Sequence, residues 1–175
     1  MLIKPHNPDW ADQFQSIKQI LETSLTGISM VIEHVGSTAV EGLGAKPIID
    51  IDITYENKND FEKIKTKLTE IGYSHQGNLG ITGREAFKRD RVIILEVLDD
   101  IDHHLYVSHQ EAVEFKRHII FRDFLRKNKW ARIEYENLKM RIADETRQDR
   151  KKYAELKETR VRDFVEKILK LAIKD

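Results

Sequence analysis

Residues 34–54 read His-Val-Gly-Ser-Thr-Ala-Val-Glu-Gly-Leu-Gly-Ala-Lys-Pro-Ile-Ile-Asp-Ile-Asp-Ile-Thr. From Ile49 onward apolar and acidic residues alternate strictly, the period of a β-strand whose side chains point to opposite faces in turn. Ile49, Ile51 and Ile53 therefore share a face suited to a core. Asp50 and Asp52 share the other, with Cα atoms roughly 6.5–7 Å apart. Two like charges side by side in an otherwise apolar strand repel and lose hydration, so they need a cation or basic side chains beside them. Such a conflict between local sequence and a packed sheet marks a functional site. Upstream, Ser29–Val35 is rich in β-branched residues and stops at Gly36-Ser37. Glycine lets the backbone approach a ligand, and a serine hydroxyl can hold a phosphate oxygen. A Gly-Ser turn ahead of a strand-borne Asp-x-Asp suits nucleotidyl or phosphoryl transfer, with Mg²⁺ or Mn²⁺ bridging carboxylates and phosphates. Asp50 and Asp52 are the predicted catalytic carboxylates and metal ligands. Gly36, Ser37 and Lys46 are the predicted phosphate contacts.

Outward from this stretch, Asn7-Pro8-Asp9 predicts a helix start, followed by Trp10, Phe14, Ile17, Leu21 and Leu25 at helical spacing and closed by Gly27. Asn59 predicts a second helix to about Ile71, ended by Gly72. Gly77, Gly80 and Gly83 punctuate a loop expected to face a ligand, and Arg84, Lys88, Arg89 and Arg91 flank it as a candidate triphosphate clamp. Val92–Leu98 predicts a strand, Asp99–Asp102 a turn and His103–Val107 a returning strand. Three helices are predicted near 110–127, 129–146 and 149–173. The expected fold is α+β, a small mixed sheet packed by helices and followed by a C-terminal helical tail. It forms one domain over residues 1–175, with 1–109 as the α/β core and 110–175 as a helical extension.

Composition narrows the function. The 175 residues are 40% hydrophobic and 34% charged, with no cysteine. That excludes disulfides, Cys-ligated zinc, iron–sulfur clusters and a cysteine nucleophile, and fits a reducing compartment. No apolar run approaches the roughly 18 residues of a membrane span. The stretch Met1–Pro8 lacks the apolar region of a secretion signal, which predicts a cytoplasmic location. Net charge is zero, yet residues 1–109 carry 11 Lys/Arg against 17 Asp/Glu, and residues 110–175 carry 19 against 13. The asymmetry fits either a side that faces a polyanion or ordinary solvated helical faces. The interleaved glycine and aromatic pattern of an RNA-reading sheet is missing, which argues against a nucleic-acid partner.

The Gly-Ser and Asp-x-Asp pattern resembles the nucleotidyltransferase superfamily of the polymerase-β type. Within it the chain is similar to the GrpB family, through Glu33–Val40, Lys46–Asp52, Gly83-Arg84, His103-His104-Leu105, Lys116–Arg126, Glu134–Lys139 and Tyr153–Lys157. The resemblance implies a nucleotidyltransferase-type sheet and a nucleotide-and-metal site, with Arg84, Arg117 and Arg122 as further nucleotide contacts. Arg117, His118 and Arg122 lie on one predicted helix, where positions 118 and 122 share a face. The superfamily's third carboxylate is expected on a later strand. Here the matching strand is His103-His104-Leu105-Tyr106-Val107, without an acid. His104 or His103, only one of which can face a given side, is a candidate base or phosphate contact, with His104 taken as the catalytic residue, and Glu96 is a candidate acid. Some family members are fused to dephospho-CoA kinase. The ligand implied is therefore a nucleoside triphosphate or a coenzyme-A-related small molecule, and the protein partner a coenzyme A biosynthetic enzyme. The expected activity is Mg²⁺-dependent nucleotidyl transfer to an acceptor. The alternative is a catalytically silent nucleotide- or CoA-binding accessory module.

Overall fold

In the computed structural model, which describes residues 1–173, the Asp-x-Asp strand lies inside a five-stranded mixed sheet. The chain runs α1 (Asp9–Ser24), β1 (Met30–Val35), a 3₁₀ turn (Ser37–Ala39), β2 (Ile49–Tyr55), α2 (Asp60–Glu70), β3 (Tyr73–His75) and β4 (Arg84–Arg89). It continues through α3 (Glu96–Asp100), β5 (His103–His109), α4 (Val113–Lys127), α5 (Lys129–Glu145) and α6 (Arg150–Ala172). Strand order is β1-β2-β5-β4-β3, antiparallel throughout except for the parallel pair β2 and β5. In this register Asp50 lies between Val35 and His104, and Asp52 between Glu33 and Tyr106.

The alternation of β2 divides its two faces as its sequence requires. Ile49, Ile51 and Ile53 are buried against Ile17 and Leu21 of α1 and Ile64 and Leu68 of α2. Each such side chain removed from water contributes about 1.5–3 kcal/mol. A second cluster joins Phe124, Tyr135, Ile142, Tyr153 and Phe164 of the last three helices to Ile3, Val40 and Leu43 from the first half. The helical half is thereby latched to the loop between β1 and β2. The short antiparallel bridge between Lys4 and Ala45 holds that loop from the other side. Among the described residues, no helix is long and apolar enough to cross a membrane.

One expected strand is absent. Residues 92–95 are irregular, with Val92 81% and Ile94 78% exposed, and Glu96–Asp100 is helical. The cause is local. The Asp99 carboxylate accepts from the Leu95 N–H and from the Arg89 guanidinium, while Arg89 also donates to the Ile71 and Ile93 carbonyls. These bonds pull the backbone out of an extended path, and Arg84–Arg89 supplies the strand in its place. Arg89 and Arg91 both turn to Asp99 and so form no triphosphate clamp. Glu96 opens α3 and lines no part of the cleft described below.

Helix α4 covers the acidic face of β2 and is tied there by two charged contacts. Arg122 donates to Glu33 at 2.6 Å and to the His34 carbonyl at 2.9 Å. His118 Nδ1 donates to Asp52 Oδ2 at 2.7 Å, and its Nε2 lies 3.4 Å from Glu114. Burial alone would lower the His118 pKa, but bonds to the two carboxylates outweigh it and raise the value to about 9.

Ile51→Ala, at the fully buried centre of β2, lowers unfolding stability in urea by about 2–5 kcal/mol. Ile133→Ala, at a half-exposed position, changes it by no more than about 0.5 kcal/mol. Because the folded-state pKa of His118 exceeds the unfolded value of 6.5, its contribution is complete below pH 6.5 and lost as pH rises through about 9. Melting temperatures recorded across that window decline in the native chain, and His118→Gln removes this part of the decline.

Candidate functional site

β1 ends at Gly36, whose backbone has φ +72°. A Cβ there would stand 2.2 Å from Asp50 Oδ2, so glycine is required both by the backbone conformation and by the close approach of the carboxylate. The chain then enters the 3₁₀ turn at Ser37, whose side chain lines the cleft. Thr38 anchors this turn, its hydroxyl bonded to the Ile48 carbonyl and to His34.

The two acids have different surroundings. One third of the Asp50 side chain is exposed, and its Oδ1 accepts from His104 Nδ1 at 3.0 Å. The Asp52 side chain is only 3% exposed and lines neither cavity of the cleft. Its Oδ2 is held by His118, and its Oδ1 is buried without a partner among the described residues. An orphaned carboxylate oxygen is costly to bury. The neighbouring histidines separate in the same way. His104 faces the cleft, whereas His103 turns inward, donating from Nδ1 to the Ile101 carbonyl and accepting at Nε2 from the Tyr73 hydroxyl 2.6 Å away.

Above Asp50 lie two adjoining cavities of about 550 and 310 Å³. They share Ser37, Asp50, Arg84, Tyr106, Arg117 and Lys157 and form one cleft between the sheet and the last helices. Cations dominate its wall. The Arg84 guanidinium stacks 4.1 Å from the Tyr106 ring centroid, and its Nε is buried without a partner among the described residues. Lys46 Nζ stands 4.0 Å over the Tyr153 ring. Burial, then repulsion from Lys157 and Arg150, lowers the Lys46 pKa to about 8. Lys139 is buried and donates to Ser37 Oγ at 3.0 Å and to the Gly44 carbonyl at 2.5 Å. Lys157 is held above the ordinary lysine range by Tyr135, against the opposing effect of burial.

Gly36, Ser37, Lys46, Asp50, Arg84, His104 and Arg117 thus all line the cleft. Two of the expected nucleotide contacts are already engaged. Arg117 donates to Glu166 at 2.6 Å and lies 3.7 Å from Glu114. Arg122 lies at the edge of the smaller cavity, but its guanidinium is taken up by Glu33, Asp123 and the His34 carbonyl. It is a strut between α4 and β1 rather than a free anion contact. Sequence reading missed Lys139, Lys157 and Tyr153 as cleft residues. Their one available signal was a lysine at a position of α5 whose helical neighbours Tyr135, Ile142 and Ala143 are all buried.

The donor set bears on a metal. Among the described residues no group of three His, Cys, Asp or Glu side chains is arranged to hold one. The protein donors are then Asp50 and the free oxygen of Asp52. Such a pair fits magnesium, which takes one or two carboxylates and fills its shell with water and substrate phosphates.

The family model described as GrpB protein matches residues 1–170. The Glutamate-rich protein GrpB of Alkalihalophilus pseudofirmus is 35% identical over 97% of this chain and 94% of its own length. The crystal structure of the conserved protein GrpB from Enterococcus faecalis superposes with a TM-score of 0.79 at 29% identity, covering 98% of this chain and 97% of that one. A distant likeness in fold extends to the Cid1 poly(U) polymerase, with a TM-score of 0.51 at 12% identity over 80% of this chain and 39% of that one. The family-model match over residues 1–170 and the end-to-end alignment with the two GrpB proteins make this chain a member of the GrpB family.

Proposed function

We propose that the cleft binds a nucleoside triphosphate and transfers its nucleotidyl group to an acceptor hydroxyl. The observation that carries this reading is the contact between Asp50 and His104 beside the Gly36-Ser37 turn. The carboxylate holds the imidazole by Nδ1, which leaves Nε2 of this cleft-lining residue as a proton acceptor. In the β2–β5 register His104 stands beside Asp50, on the strand where the polymerase-β pattern calls for a third acid. Ser37 and Lys46 hold the terminal phosphates, and Arg84 offsets their charge. His104 Nε2 removes the acceptor proton, the acceptor oxygen bonds to the α-phosphorus, and the bond to the bridging oxygen breaks to release pyrophosphate. Magnesium or manganese, held by Asp50 and Asp52 when bound, supplies charge neutralisation at the phosphate oxygens. Ser37, Lys46, Arg84 and His104 supply positioning and proton transfer.

A second reading, a silent nucleotide- or CoA-binding module, is favoured by one specific observation. His118 already neutralises Asp52, and no carboxylate replaces the missing third acid on β5.

Thermal-shift titration with nucleoside triphosphates and CoA, with and without Mg²⁺, and label transfer from an α-labelled triphosphate separate the two. The transferase reading expects stabilisation by a triphosphate with Mg²⁺ and label transfer that Asp50→Asn and Asp52→Asn abolish. His104→Gln keeps binding and loses about 10²–10⁴ of the rate. Stabilisation without transfer establishes the accessory module instead. If no nucleotide or CoA stabilises the fold, both readings are wrong. Gly36→Ala displaces the Asp50 carboxylate, so its loss of ligand stabilisation matches that of Asp50→Asn while the far-UV spectrum stays native.

A further inference from the structure

Lys139 is an ammonium buried at the base of the cleft whose partners are a hydroxyl and a carbonyl rather than a carboxylate. It is only 2% exposed. An ammonium has three donors and no lone pair. Ser37 Oγ must therefore accept from it, and the Ser37 proton is left to point away from Lys139, toward the cleft that Ser37 lines. We propose that Lys139 is a positioning residue for the cleft's phosphate ligand, fixing the Ser37 hydroxyl as a donor aimed at a phosphate oxygen. This rests on the reading of the cleft as a phosphate site. An uncharged amine at the same place offers a lone pair, to which the hydroxyl turns inward, and the donor to phosphate is lost.

Charge at Lys139 is responsive near neutrality. Burial first, then repulsion from Lys157, lowers its pKa to about 7, while Glu136 and Asp50 act in the opposite sense. The groups facing it are Lys157 of α6, Asp50 of β2, Glu136 of its own helix, and Tyr135, whose ring lies 4.6 Å from Nζ. Lys46 and Tyr153 line the same cavity. Burial holds the Tyr153 hydroxyl up to about 12, so the tyrosine stays neutral, whereas Lys46 titrates near 8. The lysines' contribution to polyanion affinity is therefore complete below pH 7 and is lost as the pH rises. The first part of that loss belongs to Lys139 and a later part to Lys46.

The test is calorimetric binding of inorganic tripolyphosphate, without metal, to the native chain, Ser37→Ala, Lys139→Gln and the double variant, from pH 6 to pH 9. The glutamine amide carries no charge and offers the Ser37 hydroxyl an acceptor oxygen as well as a donor, so the serine proton is no longer fixed toward the cleft. At pH 6 each single variant binds about tenfold more weakly, the loss of one charge-assisted contact. The double variant is no more than about twofold weaker than Lys139→Gln, because the two residues act as one unit. Lys139→Gln lacks the native step near pH 7 and keeps the one near pH 8. Native-like affinity in Lys139→Gln, or losses that multiply in the double variant, overturns the proposal and leaves the phosphate cleft standing. If the native chain does not bind tripolyphosphate, the cleft reading and this proposal fall together. Should Lys139→Gln not fold, the step near pH 7 must shrink in Ser37→Ala. An unchanged step overturns the proposal.

Discussion

A carboxylate inside a sheet is tolerated only with a counter-charge, and in this protein the requirement at Asp52 organises everything above β2. His118 answers it from α4, and Glu114 one helical turn earlier supports the imidazolium from its other nitrogen. The bond fixes the height and rotation of α4 over the sheet. That rotation carries Arg122 to Glu33 on β1 and places Glu114 and Arg117 at the rim of the cleft. Had Asp52 faced a hydrophobic helix, its charge would have been expelled or protonated, and α4 would have had no fixed seat. The helical half is thus oriented by an ion pair and secured by the aromatic packing behind it.

With Asp52 Oδ2 committed to His118, Asp50 is the acid of this pair that lines the open cleft. Its environment is built from short, inflexible parts: a glycine with no room for a side chain, a 3₁₀ turn pinned by Thr38, and a histidine in strand register. Each constrains one side of the carboxylate. A group so restricted meets a ligand with little further loss of conformational freedom, the condition under which positioning contributes most to binding and to catalysis.

Much of this was legible in residues 34–54, because a strand's two-residue period makes the facing of every side chain readable. The same period separates His103 from His104, which the structure places on opposite faces. The long helices were legible for a parallel reason, having wide apolar faces and neither glycine nor proline within. Local pattern failed where a contact distant in sequence decides conformation. The run Val92–Leu95 has the composition of a strand, but one carboxylate at Asp99 and the guanidinium of Arg89 override it. Arg84–Arg89 hides in turn, since only Ala86 and Phe87 of its six residues are buried. Local pattern could not join Lys139 and Lys157 to the site, because their partner Ser37 and their neighbour Asp50 lie in the other half of the chain.

The charge asymmetry between the halves also acquires a location. Composition alone could not separate a polyanion-facing side from ordinary solvated helices. In the fold, the second half brings Arg117, Lys139, Lys157 and Arg162 to the cleft against Glu114 and Glu158. The first half contributes Asp50 among Lys46, Arg84 and His104. Some of these cations are silenced by partners, as Arg117 is by Glu166. Among the described residues, Lys46, Arg84 and Lys139 are not paired with carboxylates, and they stand over aromatic rings or donate to neutral oxygens. Cations left in that condition around one acid repel one another across a confined volume. Their mutual repulsion is relieved most by a ligand bearing several negative charges close together. On the proposed function, the cleft's charge would favour a compact polyanion before any hydrogen bond to its remaining parts is made.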